Sequence, residues 1–437
     1  MRSALVALGL LAACSDGPPR LRINVAVVSA TGGDPLTDAD FEEVTVEVAQ
    51  QDRPVTRVTR RLDGAFDLPI EIGSLSASTR VRVHLDGPEP WVGAPPQFVP
   101  LAAAGLVRVV VGPAGRCAIV PEAELPEATE EPAMARVETF ALVAGGRGAS
   151  GPSTSVGFVD LVRFFSGDLD PLTLGSGAGR AATLGFERAV VVTEGGALLY
   201  DLANADARNT PLAPVHDGAG PASAVIARPG GAVVVGGEEG GAAVPGVTWV
   251  FEDGRALDSL LVVPRRRAAA VALGNFVVVA GGSEAGPIAE VLNASTQESA
   301  PVEYDDGVRL DPLLVRDGDS LWLIGGVGAD GTVRQDTVQL LGCPSACRAE
   351  PGPPWSTARA GAVVEGGYIV GGDTRVEVAA FRAGVWTLEH AFDLQVARRD
   401  PLAVVFESGV LVVVAGSDEA GARRDVELCW PTALVPF

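Results

Sequence analysis

The chain has 437 residues, 47% hydrophobic and 20% charged. That balance excludes a disordered protein, and the length exceeds one typical domain, so two domains are expected. The formal charge is −22 and all 33 basic residues are arginine, so nucleic acid and anionic surfaces are repelled, and a P-loop or Schiff-base lysine is excluded.

In chain order, residues 1–13 read as a secretory signal. Met1-Arg2 is a short basic start, and Ala4–Leu11 is apolar but too short to span a bilayer once mature. The segment Leu11-Ala12-Ala13-Cys14 resembles the bacterial lipobox. That resemblance implies that Cys14 is diacylated and becomes the new N-terminus. The competing reading is a plain signal peptide with an incidental cysteine. Ser15, where an Asp would retain some lipoproteins in the inner membrane, favours the outer membrane. Residues 14–20 then form a tether, and the protein sits in the bacterial cell envelope, touching the membrane only through its lipid.

Residues 21–114 carry short alternating strands without a repeat. Candidates are Leu21–Ala30, Val44–Ala49, Val55–Arg61, Ala65–Ile72, Thr79–Leu85 and Leu106–Gly112. In the fifth, Val81, Val83 and Leu85 face one side, and Arg80, Arg82 and His84 the other. About seven such strands over some 90 residues fit an immunoglobulin-like or transthyretin-like β-sandwich. The proline-rich piece Gly87–Pro96 reads as loop or edge.

From 115 to 437 one signature recurs: an apolar, β-branched run ending in paired glycines. It stands at Gly145-Gly146, Gly236-Gly237, Gly281-Gly282, Gly325-Gly326 and Gly371-Gly372, is degenerate at Gly195-Gly196, and is weakened at Ala415-Gly416. Seven units of about 45 residues are the mark of a β-propeller. Runs without polar alternation are strands covered on both faces, as in blades packed between blades. The doublets suit tight reversals at positive φ. The repeats resemble the kelch family over roughly residues 130–437; its Tyr-and-Trp feature after the doublet is kept best as Phe381 and Trp386. The expected fold is therefore all-β: a sandwich followed by a seven-bladed kelch-type propeller.

With Cys14 set aside, four cysteines remain, an even number in an exported chain. Cys343 and Cys347 flank a turn and pair locally, which leaves Cys117 for Cys429. The last unit stops after its third strand, so a strand at Cys117–Val120 can complete it, with the disulfide as clasp. A zinc site from these four thiols has poor spacing.

Motifs for chemistry are scarce. Gly326–Gly331 matches GxGxxG but leads into a strand pattern instead of the helix that the dinucleotide motif needs. Asp305-Asp306 and Asp317–Ser320 lack the alternating oxygen ligands of a calcium loop. His84, His216 and His390 fall in the sandwich and two distant blades, against a metal centre or triad. Galactose oxidases, with kelch-like repeats, hold copper by two histidines and two tyrosines, for which no matching pairs stand here, and the sialidase box is absent. No catalytic residue, metal or cofactor is assigned.

One constellation is locked to the repeat. Arg265, Arg309 and Arg399 each precede a doublet by sixteen positions, with Arg359 as a shifted equivalent. They share a face with the loops after the doublets, which carry Arg147, Glu238, Glu239, Ser283, Glu284, Asp373 and Arg375. This face is the candidate binding surface; the alternative is that the arginines tie neighbouring blades together. The expected function is non-catalytic binding or scaffolding of a protein or glycan partner, without nucleic acid. The alternative is an enzyme acting on polysaccharide or glycoconjugate at the propeller mouth.

Overall fold

The computed structural model describes residues 20–27, 41, 43–50, 55–61, 67–71, 79–94, 106–120 and 123–432, less 162–163, 176, 178, 185–186, 194, 203–208, 213, 305, 318–319, 355–361, 366, 383–384 and 407. Cys14 and Arg359 lie outside them. Every regular element described is a β-strand.

Strands β1 (Arg20–Val27), β2 (Glu43–Gln50), β3 (Thr56–Arg61), β4 (Asp67–Glu71), β5 (Thr79–Asp86), β6 (Trp91–Gly93) and β7 (Leu106–Pro113) build the N-terminal β-sandwich. One group runs β3-β2-β5-β6 and the other β4-β1-β7. They meet because β7 pairs in parallel with β1 through Val111, then antiparallel with β6 through Gly112 and Pro113. Register sets Val44 opposite Leu85, Val46 opposite Val83 and Val48 opposite Val81, and all six side chains are buried. Period-two alternation thus becomes one apolar face. The expected loop or edge at Gly87–Pro96 is corrected in part: Trp91–Gly93 is a strand paired on both sides, with β5 and β7, and its buried Trp91 ring meets Phe41 edge-on.

Among the described residues, the rest of the chain forms seven sheets of four or five strands in a closed propeller, with two short two-stranded sheets beside them. The innermost strands are Ala133–Val137, Arg180–Thr183, Ala224–Arg228, Ala269–Leu273, Leu313–Asp317, Ala362–Glu365 and Leu402–Val405. Each touches the next, and the last touches the first. The strand Phe276–Ala280 shows why its sequence lacks alternation. Val277 and Val279 pack with Val233 and Trp249 of the third blade, while Val278 and Ala280 pack with Leu321 and Leu323 of the fifth. Both faces are interior, so both must be apolar.

The doublets turn the chain where backbones almost touch. At Gly236 φ is 61°, and a Cβ would sit 2.3 Å from the carbonyl oxygen of Arg265. The weakened last copy keeps the same turn with Ala415 at φ 57°.

Closure involves both ends of the propeller. Strand β8 (Cys117–Ile119) pairs antiparallel with Val426–Cys429, setting Cys117 opposite Cys429, and the two are disulfide-bonded. Cys343 and Cys347 form the second disulfide. The junction with the sandwich is continuous: Val92 and Val110 share one core with Leu428 and Trp430. Gly112 admits the Trp430 ring, which a Cβ there would approach to 2.4 Å. Backbone bonds from Gly115 to Trp430 and from Trp430 to Arg116 complete the seam.

Candidate functional site at the propeller mouth

The repeat-locked arginines do not form an exposed ring. Arg265 and Arg309 are fully buried, and the third equivalent is Arg398, also fully buried, rather than Arg399. Each donates through Nη1 to the carbonyl of the first position of the doublet that follows it: Arg265 to Gly281 at 2.6 Å, Arg309 to Gly325 at 2.6 Å and Arg398 to Ala415 at 2.7 Å. Each is neutralised by acids beside it. Arg265 pairs with Glu290 at 3.1 Å, Arg309 with Asp306 and Asp336 at 2.6 and 2.7 Å, and Arg398 with Asp425 and Glu427 at 2.8 and 3.2 Å. Glu290 also accepts from the backbone of Val262 and Val263, on the outer strand of the preceding blade. The arginines therefore tie blades together. A guanidinium, with five N–H donors in a planar fork, satisfies carbonyls and a carboxylate at once.

The other candidates separate. Glu238 and Glu239 are exposed and line the central mouth. Arg266 bridges Glu238 at 3.0 Å to Glu284 at 3.3 Å. Ser283 is buried, its hydroxyl accepting from the Ala285 N–H of its own loop at 3.2 Å. Asp373 accepts from the Arg375 N–H at 2.7 Å, and Arg375 lies 3.3 Å from Glu377 on its own strand. Arg147 is exposed, with its backbone paired to Glu130. Arg399 is exposed, pairs its backbone with Ser417 and adds its charge to the surroundings of Asp400.

A different ring occupies the mouth. Glu131, Arg267, Asp311 and Asp400 stand at equivalent positions just before the innermost strands, with φ of 50°, 54°, 47° and 50°. Backbone bonds link successive blades here: Arg267 donates to Ala222 at 2.6 Å, and Asp311 to Arg267 at 2.8 Å. This left-handed turn points successive side chains to the axis, where they line a cavity of about 630 Å³ with Arg180, Glu238 and Glu239. Arg267 is ion-paired with Asp311. Asp400 is open to the cavity yet crowded by protein. That crowding raises its carboxyl above the ordinary range, Glu131 adds to the rise, and Arg180, Arg267 and Arg399 oppose it. The sequence carries a signal for this ring: an acid followed by proline recurs as Glu131-Pro132, Asp311-Pro312 and Asp400-Pro401.

The mouth opens away from the point of chain entry. Val426 pairs with Val414 beside the doublet, whereas Cys429 pairs with Leu411 at the other end of the blade, where Cys117 enters. The sandwich therefore joins the face opposite the mouth.

No family model and no curated protein matches the chain. Solved structures do. A fungal alcohol oxidase of the AA5 family, in complex with copper, aligns at 16% identity and a TM-score of 0.54, over 72% of this chain and 75% of that one. The structure of YjhT aligns at 14% identity and a TM-score of 0.44, over 69% of this chain and 95% of that one. At such identity the oxidase likeness shows the fold alone. The expectation that the chain is not an enzyme is corrected to this extent: a fold shared with a copper-bound alcohol oxidase does not support it, and the likeness assigns no activity to this chain. Copper itself does not fit the residues present. His216 engages Thr248 and Gly236 through its two ring nitrogens, His84 belongs to the sandwich, and His390 to an outer strand of the sixth blade. Among the described residues no three His, Cys, Asp or Glu side chains gather as a metal would require.

Proposed function

We propose that this chain is an envelope enzyme acting on a polysaccharide or glycoconjugate at the propeller mouth. The observation that carries the reading is the repeat-locked set of Glu131, Asp311 and Asp400, with Arg180 and Arg267, around one cavity of about 630 Å³. Crowding holds Asp400 toward its protonated form, and Arg267 is ion-paired with Asp311. Glycoside hydrolysis uses two carboxyl groups, one of them a proton donor, and a raised Asp400 suits that donor. In this reading Asp400 gives its proton to the glycosidic oxygen as the C–O bond breaks. Glu131 takes a proton from the water that adds to the sugar carbon. Arg180 orients hydroxyl or acidic groups on the ligand.

The reading includes a kelch-type repeat and a lipid anchor at Cys14, with the outer membrane as location. The doublets and the cross-strand partners Phe381 and Trp386 support the first; the lipobox spacing supports the second. Anchored through the sandwich, the mouth would look away from the membrane. Cys14→Ser should move the protein out of the membrane fraction; retention there through a high-salt wash would end the anchor reading.

The test of activity uses the soluble chain from Ser15 with envelope polysaccharide and counts new reducing ends. Asp400→Asn should lower their release by about 100-fold or more, the usual weight of a general acid. Equal release by Asp400→Asn and the parent chain, or none from either, would sink the assignment.

A further inference from the structure

A chain of polar groups runs from the mouth wall to the outer strand of the third blade. His216 sets Nε2 2.8 Å from the Gly236 carbonyl and Nδ1 2.9 Å from the Thr248 hydroxyl. That hydroxyl donates to Asp258 Oδ1 at 2.7 Å and accepts from the backbone N–H of His216 at 2.9 Å. The carbonyl and the carboxylate only accept, so the three side-chain contacts need three protons. Thr248 supplies one and a neutral imidazole supplies one. With the proton on Nε2, the Nδ1 lone pair faces the hydroxyl oxygen. With it on Nδ1, the Nε2 lone pair faces the Gly236 carbonyl. Turning the hydroxyl toward Nδ1 abandons Asp258. Only an imidazolium fills all three contacts.

We propose that His216 is a proton-operated latch in the mouth wall, its protonation tying the doublet end of the third blade to Asp258 on the outer strand. The blade is shaped around the ring: a Cβ on Gly246 would lie 2.1 Å from His216 Cδ2. The segment that follows the histidine is the wall itself. Ala219 donates to the His216 carbonyl, Glu238 donates to the Gly218 carbonyl, and Gly218 to Ala222 line the cavity. The charged groups facing the ring are Asp217 beside it and Asp258 across from it. Burial lowers the affinity of His216 for a proton, and the Gly236 hydrogen bond and both carboxylates recover only part of it. The latch is thus open at neutral pH and closes on acidification, stiffening one wall of the mouth whatever ligand the mouth takes.

The chain has three histidines, so selective isotope labelling gives three imidazole signals to follow against pH. His216 should titrate below the ordinary 6.5, and its midpoint should fall further, by about half a unit or more, in Thr248→Val and in Asp258→Asn. The glycine amides of Gly218 and Gly220 should shift with the same midpoint, and that shift should vanish in His216→Gln. Asp258 is exposed, so Asp258→Asn reports even if Thr248→Val fails to fold. A midpoint unmoved by Asp258→Asn, or mouth amides indifferent to pH in the parent chain, would overturn the latch.

Discussion

Arg265 holds its Nη1 2.6 Å from the carbonyl oxygen of Gly281, sixteen residues ahead, while its Nε meets Glu290 at 3.1 Å. Both charged side chains are completely buried. The arginine, at the end of the third blade's outer strand, thereby fixes the doublet of the fourth blade, and Glu290 of the fourth blade fixes that same outer strand. Removing either partner strands a buried charge, which costs about 3–5 kcal/mol. Arg265→Met and Glu290→Leu should each lower the denaturant midpoint strongly, and the double variant should lose less than the sum. Additive losses would show that the two do not act as a pair.

The Cys117–Cys429 bond closes 312 residues into one loop, and Cys343–Cys347 closes a turn. Chain entropy assigns about 5 kcal/mol to the larger closure as an upper figure, and far less to the smaller. Replacing the distal pair by serine should depress the thermal midpoint clearly more than replacing the local pair. Equal effects would refute the clasp, as would a peptide linking Cys117 to Cys343 in a non-reduced digest.

Asp336 carries a pH prediction. Burial pushes its carboxyl up, but hydrogen bonding from Arg334 and the charges of Arg309 and Arg334 outweigh that, and it titrates below the ordinary value of 3.8. A depressed folded value means stability that is present above 3.8 and lost as pH falls through the folded value. The midpoint gap between the parent chain and Asp336→Asn should therefore be full at pH 6 and shrink progressively below pH 4. A gap that stays constant would remove Asp336 from the acid response.

Gly112 and Trp430 couple the sandwich to the last blade. Gly112→Val should destabilise by about 1–3 kcal/mol, because the indole cannot shift without disturbing the core it shares with Val110 and Leu428. In a Trp430→Leu background the same change should cost less, read by a double-mutant cycle in urea. An unchanged cost would mean that the two units do not meet through this pair.

The propeller was legible because its physics is periodic. Strands buried on both faces must be apolar throughout, and reversals near a neighbouring backbone demand glycine, so both left a mark every 45 residues or so. The cysteines were legible for a related reason: a local pair leaves one partner for each remaining thiol. The short strand at Trp91 was not, since prolines around it mask a three-residue pairing that only β7 and β5 create.

Residue types and spacing determined the all-β architecture, the doublet turns and the candidate disulfide pairs. They could not determine which side of the chain a charged residue would take. Arg399 keeps the sixteen-residue spacing, yet Arg398 enters the blade, because the last turn carries one more residue between the arginine and Ala415. Burial of the arginines beside Glu290, Asp336 and Glu427 depends on third strands that arrive from farther along the chain. The mouth was decided in the same way. Glu131 and Asp400 are 269 positions apart in sequence, and only a ring that closes on itself brings them to one cavity.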